Sequence, residues 1–235
     1  AKIATKKKFL NIYYSIMIKF VDGIIFPSKL SKKIWLRATQ KSTKYKIKNK
    51  PKKSKIIPLG IQSELLKEGY SKISLCEDFL GNNKYLLFIG RISKDKSFHE
   101  GVKKIFNRNE LKSLKIIVAG SAQDENSLYL LNLLKKSNPD RIMVYPYFLS
   151  NSQINWLIKK SYAVVVNYNA VNSGVATLAA AQKKKIVIYN DLFRKSFKDL
   201  YAYKNVYNLK KFSDLYKKKK FINYKKEGSI IKMKD

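Results

Sequence analysis

The chain has 235 residues, 45% of them apolar, which is enough for a sizeable buried core and too many for wholesale disorder. A single cysteine, Cys76, excludes an internal disulfide framework, and a single histidine, His99, argues against a protein-built zinc site. The net charge of +34 invites a nucleic-acid reading, yet only five of the 50 basic residues are arginine, the side chain that reads base edges with forked hydrogen bonds. The lysines are spread over the whole length. That pattern, beside plentiful Ile, Asn and Tyr, is what a lysine-favouring genome gives; it is compatible with phosphate-bearing ligands or peripheral contact with an anionic membrane, and points to no specific nucleic acid. The cysteine usage fits a reducing, cytoplasmic compartment.

Phe9 to Phe20 reads as an amphipathic helix. Asn11, Ser15 and Lys19 interrupt its apolar residues, so it is neither a membrane span nor a signal peptide. Gly23 to Phe26 reads as a short strand and Ser28 to Thr39 as a helix, followed by a solvated lysine-rich loop over Lys41 to Lys55. Lys55 to Pro58 is a short strand leading into Leu59-Gly60-Ile61. Further strands follow at Tyr85 to Ile89, Lys115 to Ala119, Ile142 to Tyr145, Tyr162 to Tyr168 and Lys185 to Tyr189. Helices separate them, over His99 to Asn107, Glu125 to Lys136, Ser150 to Lys160 and Gly174 to Gln182. The second last of these opens on Ser150-Asn-Ser-Gln153, a capping-box pattern.

Continuous apolar strands alternating with helices imply an α/β fold, a doubly wound parallel sheet covered on both faces. This domain runs over residues 55–190. Residues 1–54 look like the end of another unit plus a lysine-rich linker, and residues 191–235 read as a helical, lysine-rich closing segment.

Three cues to chemistry fall at strand carboxyl ends, where open α/β sheets bind ligands. The strand Tyr85 to Ile89 ends in Gly90-Arg91, with Lys96 a turn later: a point of free backbone and two cations that suit a diphosphate. The next ends in Gly120-Ser121. The third cue is Asn172-Ser173-Gly174-Val175, where Asn or Ser can cap the helix and the helix start exposes N–H groups and the positive end of its dipole. Each has an ordinary explanation alone, as a turn or a cap. Their shared edge makes them a candidate phosphate site. Cys76 and His99 have no companions that would make them nucleophile and base.

The order of these motifs resembles the GT-B glycosyltransferases, in particular the family 4-like group (glycosyl transferases group 1). The matching residues are Phe88-Ile-Gly-Arg91 with Lys96, Ile117-Val-Ala-Gly120, and Asn172-Ser-Gly174 with Ala179-Ala-Ala181. Val21-Asp-Gly-Ile-Ile-Phe-Pro-Ser28 and Lys55-Ile-Ile-Pro-Leu-Gly-Ile61 look like the last strand of that family's acceptor domain and the link into its donor domain. The resemblance covers residues 10–190, mostly the C-terminal nucleotide-sugar-binding domain, a Rossmann-like unit, with a partial remnant of the N-terminal domain.

The resemblance implies a donor substrate that is a nucleoside-diphosphate sugar, a glycan or lipid-linked acceptor in surface polysaccharide synthesis, and no metal or separate cofactor. Arg91 and Lys96 would be the catalytic cations, while Gly90, Gly120, Ser121, Asn172, Ser173, Gly174 and Val175 would hold the donor. The family commonly retains anomeric configuration. Where it usually has two glutamates eight positions apart, this chain has Ala170 and Leu178. The acceptor domain's glycine-rich loop and usual histidine have no counterpart here, and His99 is expected on a helix surface. Transfer would then require the acceptor half from a longer protein or a partner, at the cytosolic membrane face or free of it. The alternatives are an inactive or split remnant, and a basic module for nucleic acid or anionic membrane.

Overall fold

A computed structural model of the chain describes residues 21–40, 53–57, 66–168, 173–201 and 203–218. The expected helix over Phe9 to Phe20, the segment Leu59-Gly60-Ile61, Ala170 and Asn172 lie outside these residues.

The first described elements form a small unit. β1 (Gly23–Phe26) lies parallel to β2 (Lys53–Ile56), with Phe26 opposite Ile56. Between them runs α1 (Lys29–Gln40), whose start is capped by the buried Ser28: its Oγ accepts from the Ser31 amide at 3.0 Å. The second strand begins two residues before the expected Lys55, inside the stretch read as a loop. Pairing to β1, not apolar character, sets its bounds.

The main sheet has six parallel strands: β3 (Tyr85–Ile89), β4 (Lys115–Ala119), β5 (Ile142–Tyr145), β6 (Ala163–Val166), β7 (Lys185–Ile188) and β8 (Val206–Tyr207). Their spatial order is β5-β4-β3-β6-β7-β8. The chain thus steps outward on one side of β3, then crosses back and steps outward on the other. Between β3 and β6 the order reverses, which places a crevice beyond their carboxyl ends.

Right-handed crossovers put α3 (Phe98–Phe106) and α4 (Glu125–Ser137) on one face. The same rule puts α5 (Asn151–Lys160), α6 (Gly174–Ala181) and α7 (Asp191–Tyr201) on the other. A bond of 3.1 Å from Gln182 Nε2 to Asn155 Oδ1 ties the end of α6 to α5. The capping box at Ser150 and Gln153 forms as the sequence indicates, and Asp124 caps α4.

Every residue of β3 is buried, from Tyr85 to Ile89. The one polar group on it, the Tyr85 hydroxyl, donates to the Leu157 carbonyl at 2.7 Å, and burial drives its pKa upward. Around this strand the core gathers Val102, Ile105, Ile117, Leu157, Val164 and Ile186. It also gathers Phe193, Phe197, Val206, Phe212 and Tyr216 from the C-terminal segment. That segment was expected to be helical from Leu192. It supplies α7 and a helix over 209–218, but also β8, which pairs with β7 through Ile186↔Val206. A two-residue strand beside Lys204 and Asn205 has too little apolar length to show in a sequence pattern.

Two further elements carried no clear sequence signal. One is α2 (Ser74–Leu80), which buries Cys76 and Leu80; the other is a 3-10 turn over Asn109–Leu111. Burial pushes the Cys76 thiol pKa up to about 12, so it sits as a small inert apolar group. His99 corrects an expectation: its side chain is only 15% exposed, turned inward rather than onto the helix surface, and burial lowers its pKa.

Backbone hydrogen bonds hold the exits of β3, β4 and β5 together. Gly90 N donates to Ala119 O at 3.0 Å, Ile92 N to Ser121 O at 2.9 Å, and Gly120 N to Tyr145 O at 3.0 Å. Gly90 and Gly120 have φ of 128° and 135°, a region L side chains rarely adopt. A Cβ on Gly120 would land on the Gly90 carbonyl oxygen and 2.7 Å from its carbon. Gly120→Ala is therefore expected to cost about 3 kcal/mol, in the upper range of single substitutions. Urea unfolding followed by circular dichroism measures it; a change below about 1 kcal/mol would show that the two exits are not locked in this way.

Candidate functional site

The carboxyl edge of the sheet at the β3/β6 reversal collects most of the residues singled out from the sequence. Gly90 and Arg91 leave β3 directly, and Arg91 is exposed, its guanidinium 3.5 Å from Gln123 Oε1 on the β4 exit. A tight polar turn follows. Ser93 Oγ donates to Asp95 Oδ1 at 2.6 Å, and the amides of Lys96 and Ser97 both donate to the Ser93 carbonyl. This hydroxyl bond, with smaller help from the Lys96 and Arg91 charges, holds the Asp95 carboxyl below the usual carboxylate range.

Lys96 is half-buried, with its Nζ 3.4 Å from the centre of the Tyr168 ring. Burial lowers its pKa, the Asp95 carboxylate opposes that shift, and the Arg91 charge reinforces it. Lys96 and Arg91 are thus near enough to repel each other. An anion placed between them would relieve that repulsion, which makes this edge a candidate phosphate site.

Across the reversal, Asn167 and Tyr168 follow the end of β6 at Val166. Asn167 Nδ2 donates to the carbonyls of Lys96 at 3.0 Å and Ser97 at 2.8 Å. It comes this close because α3 carries Gly101, where a Cβ would meet Asn167 Cγ at 2.8 Å and Phe88 Cε1 at 2.6 Å. Tyr168 is 8% exposed, and its hydroxyl shares a 2.8 Å hydrogen bond with Ser173 Oγ. Burial raises the Tyr168 pKa, so the phenol keeps its proton at neutral pH.

Ser173 is itself buried and caps α6, accepting from the Ala176 amide at 3.2 Å. The amides of Gly174 and Val175 belong to the first turn, which helix geometry leaves without an intrahelical acceptor. Where a Gly174 Cβ would point there is open space. The dipole of such an end is worth about 0.3–1 kcal/mol to an anion, and each hydrogen bond to a charged group about 1.5–3 kcal/mol. The hydrogen bonds dominate.

Arg91, Lys96, Ser173, Gly174 and Val175 therefore lie on one edge, linked through Tyr168. Gly120 and Ser121 sit on the same edge one strand away, where their backbones pair with the β3 exit. Asn172 falls outside the described residues. Leu178, at one of the positions where the resemblance would put a glutamate, is buried against the core. Asn167 and Tyr168 were not foreseen. Tyr168 was read as the last residue of a strand, when the strand stops at Val166 and the next two side chains turn toward Lys96. The available signal was a polar-aromatic pair ending an apolar strand, opposite Gly-Arg on its neighbour.

No protein-family model matches the sequence, and no curated protein does either. Solved structures do match. The protein described as trehalose-6-phosphate from E. coli, bound with UDP-2-fluoro glucose, superposes with a TM-score of 0.57 at 12% identity, over 72% of this chain and 46% of that one. Sucrose-phosphate synthase from Thermosynechococcus elongatus gives 0.55 at 15% identity, over 76% and 43%. A UDP-forming α,α-trehalose-phosphate synthase from Burkholderia xenovorans, in complex with glucose-6-phosphate, gives 0.52 at 12% identity, over 72% and 47%. The fold is thus a Rossmann-like α/β domain of the GT-B type, and this chain spans less than half the length of these proteins. At such identities the likeness concerns the fold and draws no distinction among the families that share it.

The shared hydroxyl of Ser173 gives a test of this edge. Ser173→Ala removes the α6 cap, worth about 1 kcal/mol, and leaves the buried Tyr168 hydroxyl unpartnered, worth about 1 kcal/mol more. Chemical denaturation should show a loss of about 2 kcal/mol. A loss of only a few tenths would mean that the Tyr168–Ser173 bond does not persist in solution.

Proposed function

We propose that this chain is the donor-binding portion of a glycosyltransferase that takes a sugar from a nucleoside-diphosphate sugar. The observation that carries the reading is the convergence of Arg91, Lys96 and the start of α6 at the reversal of strand order. The donor's diphosphate would lie between the two cations and the Gly174 and Val175 amides. As the bond from the sugar's anomeric carbon to the diphosphate breaks, the electron pair leaves with the nucleoside diphosphate. Arg91 and Lys96 would stabilise the negative charge gathering there, as preorganised electrostatic catalysts. In this reading the protein's own cations do that work, and the anomeric configuration is retained.

The acceptor is a glycan or lipid-linked sugar in surface polysaccharide synthesis, and the residues that receive it belong to an acceptor half supplied by a longer protein or a partner. Support for the class comes from the fold shared with proteins whose described ligands are a UDP-sugar analogue and glucose-6-phosphate. A second reading, contact with an anionic membrane, is favoured by one feature. Lys29, Lys32, Lys33 and Arg37 line a cavity of about 370 Å³ on α1, walled by Leu36 and Ile56. Such a face would hold the protein at a cytosolic membrane surface. No helix among the described residues is long and apolar enough to cross a membrane.

Titration calorimetry with UDP, other nucleoside diphosphates and UDP-glucose tests the first reading. At least one is expected to bind, and Arg91→Ala and Lys96→Ala are each expected to weaken it about tenfold or more, the loss of a charge-assisted contact. If no nucleotide binds, while anionic vesicles do and release the chain as salt rises, the membrane reading replaces the donor-site one.

A further inference from the structure

The two residues that leave β6, Asn167 and Tyr168, touch Lys96 at both of its ends. Asn167 reaches the main chain, donating to the carbonyls of Lys96 and of Ser97. Ser97 has a left-handed φ of 45°, a conformation uncommon for a side-chain-bearing residue, and the Asn167 amide is one of the groups that keep it there. Tyr168 reaches the other end, with the ammonium 3.4 Å from its ring centre. A lysine side chain left to itself samples many rotamers, and ordering it costs up to about 2 kcal/mol. Here that freedom is already restricted before any ligand arrives.

The ring itself is not free to drift. Its hydroxyl is bonded to Ser173 Oγ, which in the same position accepts from the Ala176 amide. One aromatic side chain therefore links a cation leaving β3 to the first turn of α6, across the crevice between the strands. The Lys96 partner is also chemically telling. A carboxylate bridging Lys96 from below would neutralise it and compete with an anionic ligand. The face of a phenol orders the ammonium through the ring quadrupole while leaving its charge for a ligand.

We propose that Tyr168 is a positioning residue for the donor diphosphate: its ring sets the Lys96 ammonium at a fixed place relative to the α6 amides, so that the two halves of the anion site are preorganised as a unit. This rests on the donor-site reading above. Tyr168 touches no reacting atom; it acts through Lys96, and Asn167 fixes the main chain from which that lysine extends. Preorganisation of this kind raises affinity by removing ordering cost from the binding step.

The test has a ligand-free arm and a binding arm. In the ligand-free protein, with lysine methylenes labelled and Lys96 assigned by comparison with Lys96→Arg, the Lys96 ε-methylene protons should be shifted upfield by the Tyr168 ring current. The shift should survive Tyr168→Phe and vanish in Tyr168→Leu. In calorimetry with UDP, Tyr168→Leu should weaken binding about fivefold, the scale of a partly desolvated cation–π contact. In a Lys96→Ala background the same change should have no further effect, because the residue acts only through that lysine.

A wild-type Lys96 signal at its ordinary position overturns the proposal, whatever else binds and whether or not Tyr168→Leu folds. So does an undiminished effect of Tyr168→Leu in the Lys96→Ala background, which would make Tyr168 a direct contact or a merely structural residue. If the upfield shift is present but wild-type protein binds no UDP or other nucleoside diphosphate, the donor-site reading fails and this role falls with it. The surviving shift then shows that the Lys96–Tyr168 contact exists and that the failure lies in the donor-site reading.

Discussion

The organisation of this protein depends on the complete burial of β3. A parallel strand with apolar side chains on both faces must have a sheet neighbour on each side and helices above and below, because its backbone and side chains have no exposed surface to spare. Its two neighbours, β4 and β6, are reached by opposite excursions of the chain. That double occupancy creates the reversal of strand order, and the reversal creates the crevice. The site is thus a by-product of satisfying one strand. Its residues lie in the first few positions after each strand ends, where the backbones of β3 and β4 stay paired and side chains can turn across the gap to β6.

Charge in that crevice is partly desolvated, as it also is at Lys184 and Arg141 elsewhere in the molecule. Cations exposed to solvent interact weakly and are screened. At the crevice, burial and the repulsion between Arg91 and Lys96 both raise the free energy of the charged lysine, and Asp95 offsets only part of it. Asp95 is itself held by the Ser93 hydroxyl on the turn. The candidate anion site is therefore not merely positive: an additional negative charge there would offset the cost of keeping Lys96 charged. Repulsion, desolvation and the helix end act in the same direction, and each alone would be modest.

Much of this was legible in the sequence because strand burial writes itself as uninterrupted apolar runs. Tyr85 to Ile89, Lys115 to Ala119 and Ile142 to Tyr145 have the bounds the residues indicate. The capping box at Ser150 was equally plain, since its hydrogen bonds are local. Elements that exist through pairing were not. β2 starts within a run of lysines because β1 lies beside it, and β8 is a strand only because β7 has an open edge. The cations and glycines of the site were visible from their residue types. Asn167 and Tyr168 were not, because their roles depend on residues 70 positions or more upstream, across a strand reversal that a linear pattern does not encode. His99 was misread for a related reason: a polar residue on an amphipathic helix turned inward.

The place of β8 has a bearing on how the molecule is made. The strand that covers the free edge of β7, and the aromatic residues Phe212 and Tyr216 that complete the core beside it, come from the last described portion of the chain. As synthesis proceeds from the amino end, β3 to β7 can assemble while β7 still presents unpaired backbone groups and an uncovered apolar flank. Such an edge is a template for pairing with another chain. Lys183, Lys184 and Lys185 lie beside that edge, and charge at an open strand edge disfavours pairing with another copy.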